Sequence, residues 1–185
     1  MSAVAAAGSQ NLWFISRASG LVLLVLFSVV VVLGVAMRTG SAPRHWPRFA
    51  VAELHRTLSL FAVALLVLHV VTAILDPFVT IGWAAAVLPL ASPYRTLAIG
   101  LGALAVDLGG AVLLTSVLRQ RLGQRAWRAV HWLAYLAWPA AFIHSLTAGN
   151  DLGIWWVALA EVGSAAAVAA AVLARVFSRP ALEAP

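Results

Sequence analysis

Apolar residues in this chain occur in long runs, and five of them cover most of its length: residues 12–37, 52–75, 95–118, 127–147 and 153–176. About 20 consecutive apolar residues in a helix cross the ~30 Å hydrocarbon layer of a bilayer, so each run predicts a transmembrane helix. The breaks between runs carry turn chemistry. RTGSAPRHWPR holds Gly40, Pro43 and Pro47, DPFVTIGW places Pro77 after Asp76, and ASPYR and TAGNDLG supply the later breaks. Residues 76–94 include the apolar string WAAAVLPL, but it is short and interrupted by Pro89. That stretch predicts a re-entrant or interfacial piece and not a sixth span. The expected fold class is all-α, an integral membrane helical bundle of about five transmembrane helices.

Composition strengthens this reading. Hydrophobic residues make up 63% of the 185 positions and charged residues 10%, against about 25% charged in soluble domains. The runs leave no room for a separate soluble domain. The expected organisation is an external segment over 1–11, a membrane domain over 12–176 and a short cytoplasmic tail over 177–185.

The net charge is +6, and all twelve basic residues are arginine. In a soluble protein that balance would suggest nucleic acid. Here the arginines gather in the connections, so membrane topology accounts for them and no nucleic-acid partner is expected. The first connection holds Arg38, Arg44 and Arg48, the third holds Arg119, Arg121, Arg125 and Arg128, and the tail adds Arg175 and Arg179. The second and fourth hold only Arg95, Asp76 and Asp151. By the positive-inside rule the first and third connections and the C-terminus are cytoplasmic and the N-terminus external, in a multi-pass protein of the plasma membrane. The opening MSAVAAAGSQ lacks the basic n-region of a signal peptide, so the first run is expected to stay in the mature chain.

There are no cysteines, which excludes disulfides, cysteine-held iron–sulfur clusters and thioether-linked haem. Any metal or cofactor must then be held by histidine, carboxylate or backbone, and four of the five histidines fall inside runs. His55 and His69 lie fourteen residues apart in the second run, and His131 and His144 thirteen apart in the fourth. At ~1.5 Å rise per residue either spacing is about 20 Å along a helix. The second and fourth runs point the same way, so His55 and His131 share the cytoplasmic-side level and His69 and His144 the outer one. Two histidines per level leave a bare divalent ion short of its usual four ligands, whereas a porphyrin brings four nitrogens of its own. The expected cofactors are two b-type haems, with the four histidines as axial iron ligands.

The helical phase supports one pair better than the other. At ~100° per residue, His69 returns to within about 40° of His55, whereas His144 falls about 140° from His131. Pro139 lies between the latter two and is expected to bend or unwind the helix there. A lone intramembrane histidine would be read as a hydrogen-bonding group between helices. Two matched pairs argue against that, because polar groups in lipid are costly. His45 lies in a connection and is expected to be a surface residue.

The strings ELHRTLSLFAVALLVLHV and RAWRAVHWLAYLAWPAAFIHSL, which carry the four histidines, resemble the ferric reductase-like transmembrane family. That family includes the membrane parts of ferric reductases and NADPH oxidases. LWFISRASG, LDPFVTIGW and SPYRTLAIGLGALAVDL resemble its short bacterial members, and the likeness covers most of the chain. It implies a haem-bearing membrane domain over 12–176. Larger members continue into a flavin- and nucleotide-binding domain, for which a chain ending at Pro185 has no room, and no G-x-G-x-x-G signature in a soluble setting occurs here. A separate cytoplasmic flavin or NAD(P)H reductase is therefore the expected donor, with this chain as its ferric reductase-type oxidoreductase component. The external acceptor stays open between ferric iron, oxygen, quinone and a partner protein.

Haem propionates need cationic partners. Arg56, beside His55, and Arg125 and Arg128, preceding His131, are candidates at the inner level. Arg17 stands several residues inside the outer end of the first run, where it meets the outer propionates or pairs with Glu161. Asp107, in the middle of the third run, is either a structural polar contact or a proton-handling or histidine-orienting group. Gly100, Gly102, Gly109 and Gly110 allow close approach of a helix or cofactor. Trp13, Trp46, Trp83, Trp127, Trp155 and Trp156 fit an interfacial aromatic belt. Two other functions compete with transmembrane electron transfer. One is the haem-bearing membrane anchor of a multi-subunit, quinone-linked oxidoreductase. The other is a non-redox metal transporter or helical scaffold using the histidines as transit ligands.

Overall fold

The computed structural model describes residues 3–39, 46–149 and 151–177, with side chains from residue 10 onward. His45, Arg44, Arg179, Gly40 and Pro43 lie outside the described residues. The described residues form six α-helices and one 3-10 turn, with no strand among them: α1 Ala3–Thr39, α2 Arg48–Leu75, the 3-10 turn Trp83–Ala86, α3 Thr96–Val117, α4 Arg119–His131, α5 Ala134–Ala148 and α6 Trp155–Phe177. Four stretches are long and apolar enough to cross a membrane: Gln10–Thr39, Arg48–Leu75, Thr96–Val117 and Trp155–Phe177. An all-helical membrane bundle is therefore present.

The run at 127–147 behaves differently from the expectation of one continuous helix. It is divided between α4 and α5, and α5 is only 15 residues long. The chain tightens between them. Leu133 N–H donates to Val130 O, Tyr135 to Trp132 O and Leu136 to Leu133 O, at 2.9, 3.0 and 3.0 Å. These i→i+3 bonds wind at ~120° per residue instead of ~100°. About four residues wound this way supply roughly 80° of the ~140° that His144 lacked. The correction is overwinding at 132–136. Pro139 itself lies inside helical α5. α1 is helical from Ala3.

Helix ends follow local chemistry. α2 starts behind Pro47, whose carbonyl accepts from Ala50 N–H at 2.9 Å. It stops at Asp76 because a residue before proline avoids helical ψ; Asp76 is extended at ψ 119, and its carboxylate accepts from Phe78 N–H at 3.0 Å. α3 starts behind Arg95, a non-glycine residue in the left-handed region at φ 41. The Arg95 guanidinium donates to the Thr147 and Ala148 carbonyls at 2.8 and 3.1 Å. A cation at the negative end of a helix is favourable, so this contact ties the start of α3 to the end of α5.

The helices pack as two groups. α1 lies against α2 and α6, α3 lies against α4 and α5, and α1 meets α5 between the groups. Small polar residues occupy the buried seams, among them Ser19, Ser28, Thr72 and Ser164, where they let backbones approach. Large apolar side chains such as Phe61, Leu97 and Phe177 point outward, as a lipid-facing surface requires. The piece at 76–94 does not form a span. Its Leu90 backbone lies against α3 at Gly100, where an added Cβ would come within 3.1 Å of Leu90 N.

Candidate functional site

A mostly apolar cavity of about 1630 Å³ lies between the two groups of helices, and His55, His69, His131 and His144 all line it. Ordinary small-molecule pockets run to roughly 300–1,000 Å³, so this space suits more than one small ligand. His55 and His69 enter from α2, His131 from the end of α4 and His144 from α5. The rings meet in pairs across the cavity. His55 and His131 have ring centroids 6.4 Å apart, and His69 and His144 6.3 Å apart.

That separation is chemically specific. A metal–imidazole bond of ~2.0–2.1 Å plus a ring radius of roughly 1.1 Å, taken on both sides of one ion, gives about 6.3 Å between centroids. Each pair is therefore spaced to hold one metal ion between two nitrogens. No group of three or more histidine, cysteine, aspartate or glutamate residues able to hold a metal ion occurs among the described residues. A metal at either level would need its remaining ligands from elsewhere, which a porphyrin provides. The residues present fit haem.

The tautomers are set by the backbone. Nδ1–H of His55 donates to Val30 O at 3.0 Å, that of His69 to Ser16 O at 2.8 Å and that of His144 to Ala98 O at 2.7 Å. A carbonyl can only accept, so Nδ1 carries the hydrogen and Nε2 keeps the lone pair that binds metal. Such outer contacts orient a ligand and raise its basicity. Each carbonyl belongs to α1 or α3, the helices packed behind the ligand-bearing ones. A glycine opens each approach. A Cβ at Gly20 would stand 2.8 Å from His69 Cε1, one at Gly102 2.8 Å from His144 Cε1, and one at Gly34 3.4 Å from His55 Cε1.

The expected arginines fare unequally. Arg17 reaches the cavity beside the His69/His144 level, but its carboxylate partner is Asp151 and not Glu161, with Nε to Oδ2 at 2.6 Å. Its Nη2 is buried without a hydrogen-bond partner among the described residues. Glu161 is 4% exposed and accepts instead from the Ser145 hydroxyl, and its Oε2 has no partner among the described residues. Arg56 and Arg128 line the cavity from exposed positions, and Arg56 pairs with Glu53 at 3.7 Å. Arg125 is exposed and outside the lining. Asp107 is exposed on α3 and also outside the lining, and the Nδ1 groups of His55, His69 and His144 go to backbone carbonyls instead. Of the glycines singled out from sequence, Gly102 meets a histidine and Gly100 meets Leu90, while nothing lies within 4 Å of a Cβ at Gly109 or Gly110.

Several contributors escaped sequence reasoning. Gly20 and Gly34 repeat at the fourteen-residue spacing of His69 and His55, and that match was the available signal. Trp127 was assigned to the aromatic belt, yet its ring lies 5.0 Å from His131. Trp138 Nε1–H donates to Ser28 Oγ at 2.9 Å, linking α5 to α1 between the two levels. No pattern marks that contact in advance.

The family model described as the ferric reductase like transmembrane component matches residues 19–142, about two thirds of the chain. The match includes His55, His69 and His131 and ends two residues before His144. No curated protein and no solved structure matches the chain.

Proposed function

The chain belongs to the ferric reductase-like transmembrane family, and from that premise we propose that it is a di-haem b-type membrane cytochrome. It carries electrons across the plasma membrane from a cytoplasmic donor to an external acceptor. The observation that supports this most is the pairing of four histidines into two levels, each with the ring spacing of a two-imidazole metal site. Bound haem supplies a one-electron iron couple at each level.

The protein's own residues do the rest. His55 and His131 hold the inner group and His69 and His144 the outer one, in a bundle of about five spans with the N-terminus outside. The α1 and α3 carbonyls keep Nε2 of His55, His69 and His144 free for iron. Arg17 offers its unpartnered Nη2 to an anionic propionate at the outer level, with Arg56 and Arg128 serving the inner one. The apolar lining excludes water and lowers the local dielectric, and with it the reorganisation that each transfer demands. A separate cytoplasmic flavin or NAD(P)H reductase is the donor, and ferric iron is the acceptor that the family favours.

A reduced-minus-oxidised spectrum with haem quantification tests the reading. The wild type should carry about two b haems per chain. His55→Ala or His131→Ala should remove one, and His69→Ala or His144→Ala the other. Full haem retention in all four variants would sink the assignment.

A further inference from the structure

Three of the four imidazoles are held by one repeated device. Nδ1–H donates to a helix carbonyl at position i, and residue i+4 of that helix is glycine: Ser16 with Gly20, Val30 with Gly34, and Ala98 with Gly102. The i+4 residue lies one turn along, directly over that carbonyl. Without a Cβ there, the carbonyl stays open to a second donor. On α1 the two copies are fourteen residues apart, matching His69 and His55 on α2.

On α3, the positions fourteen residues beyond Ala98 and Gly102 are Val112 and Ser116. There the device is absent. The Ser116 and Thr115 hydroxyls both donate to the Val112 carbonyl, at 2.6 and 3.2 Å, and Ser116 Oγ accepts from Trp127 Nε1–H at 3.2 Å. His131 Nδ1 is buried with no hydrogen-bond partner among the described residues.

The backbone carrying His131 is also the least secured. His131 is the last residue of α4, followed at once by the tightened turn at Trp132–Leu133. Eight residues earlier Gly123 breaks the helix at φ 74 and ψ 159, a conformation open to glycine. No residue of α4 is buried. His55 and His69, by contrast, lie within the uninterrupted 28 residues of α2.

We infer that His131 is the exchangeable ligand of the four, and that the His55/His131 level is a binding site for a small neutral diatomic ligand. The inference rests on the two-haem reading. In the ferrous state the bond from His131 Nε2 to iron breaks and a bond from iron to the carbon of carbon monoxide forms. No electron or proton is transferred, and His131 keeps its hydrogen on Nδ1. The His69/His144 level, with both rings anchored, stays closed.

The experiment is a carbon monoxide titration of the purified, dithionite-reduced full chain, read in the Soret band after haem quantification. The expected result is about one carbon monoxide for every two haems. The double variant His69→Ala, His144→Ala should keep carbon monoxide binding on its remaining haem. The double variant Thr115→Val, Ser116→Gly, which removes both hydroxyl donors from the Val112 carbonyl and puts glycine where the other three copies have it, should weaken binding several-fold, up to about tenfold, the reach of one added hydrogen bond. Two haems with no carbon monoxide bound, carbon monoxide at both, or loss of binding in the double variant would overturn the inference alone. A preparation without haem would overturn the two-haem reading and this inference with it.

Discussion

The two histidine levels use the same ligand type at nearly the same ring separation, 6.3 and 6.4 Å, yet the protein grips them differently. At the His69/His144 level both rings donate to backbone carbonyls at 2.8 and 2.7 Å, and both press against a glycine of the helix behind. At the His55/His131 level one ring has this support, at 3.0 Å and with a looser glycine contact, and the other has none among the described residues. The ligands alone do not make two equivalent sites. The residues behind them, which touch no cofactor, decide how firmly each imidazole is aimed.

The glycines give the largest way to break this comparison. Gly20→Ala or Gly102→Ala places a methyl 2.8 Å from an imidazole atom, and overpacking of this kind costs about 1–3 kcal/mol. Each should lose most of one haem while keeping the other. Gly34→Ala meets His55 only at 3.4 Å and should keep both. Haem counting by pyridine haemochrome reads the difference, and equal loss in all three variants would erase the asymmetry.

A smaller effect is expected at Arg17. Its pair with Asp151 is part-buried, with side chains 24% and 32% exposed, and its coupling should be about 1 kcal/mol after solvent screening. A double-mutant cycle of Arg17→Gln and Asp151→Asn in thermal unfolding measures it. If Arg17 also serves the outer group, Arg17→Gln should still shift the outer haem's potential in the Asp151→Asn background and leave the inner one in place. A potential that does not move would confine Arg17 to the ion pair.

Trp138→Phe cuts the Ser28 contact between the levels. It should cost about 0.5–1.5 kcal/mol of stability, the net value of one such bond, with both haems retained. Arg56→Gln comes last. Its side chain is 73% exposed and its partner Glu53 lies one turn away on the same helix, so melting temperature and haem content should stay at wild-type values and the lost propionate partner should show only as a small shift in the inner haem's potential. A loss of the inner haem in this variant would instead give Arg56 a structural hold on that level.

Much of this molecule was legible because membranes impose coarse rules. Four apolar runs coincide with long helices because a backbone in lipid must satisfy its hydrogen bonds internally. Pro47 and the Asp76–Pro77 pair bounded α2 for reasons local to those residues. The run at 127–147 misled, since hydropathy reports polarity and is blind to winding. The turn at Trp132–Leu133 keeps the run apolar while changing its pitch. Likewise Arg17 and Glu161 were natural partners by charge, but the connection before α6 brings Asp151 to the guanidinium first.

The sequence by itself determined the medium, the helical class and four candidate ligand residues, because hydropathy, the missing cysteines and histidine spacing are properties of the chain. The spacing also set which histidines share a level, but only the tertiary structure decided that the paired rings meet at 6.4 and 6.3 Å, since that contact depends on the winding at 132–136 and the packing of α2 on α1 and α5 on α3. It also decided which rings are held. A carbonyl bond to Nδ1 forms only where a neighbouring helix presents an open carbonyl, and α1 and α3 present three such carbonyls to four histidines.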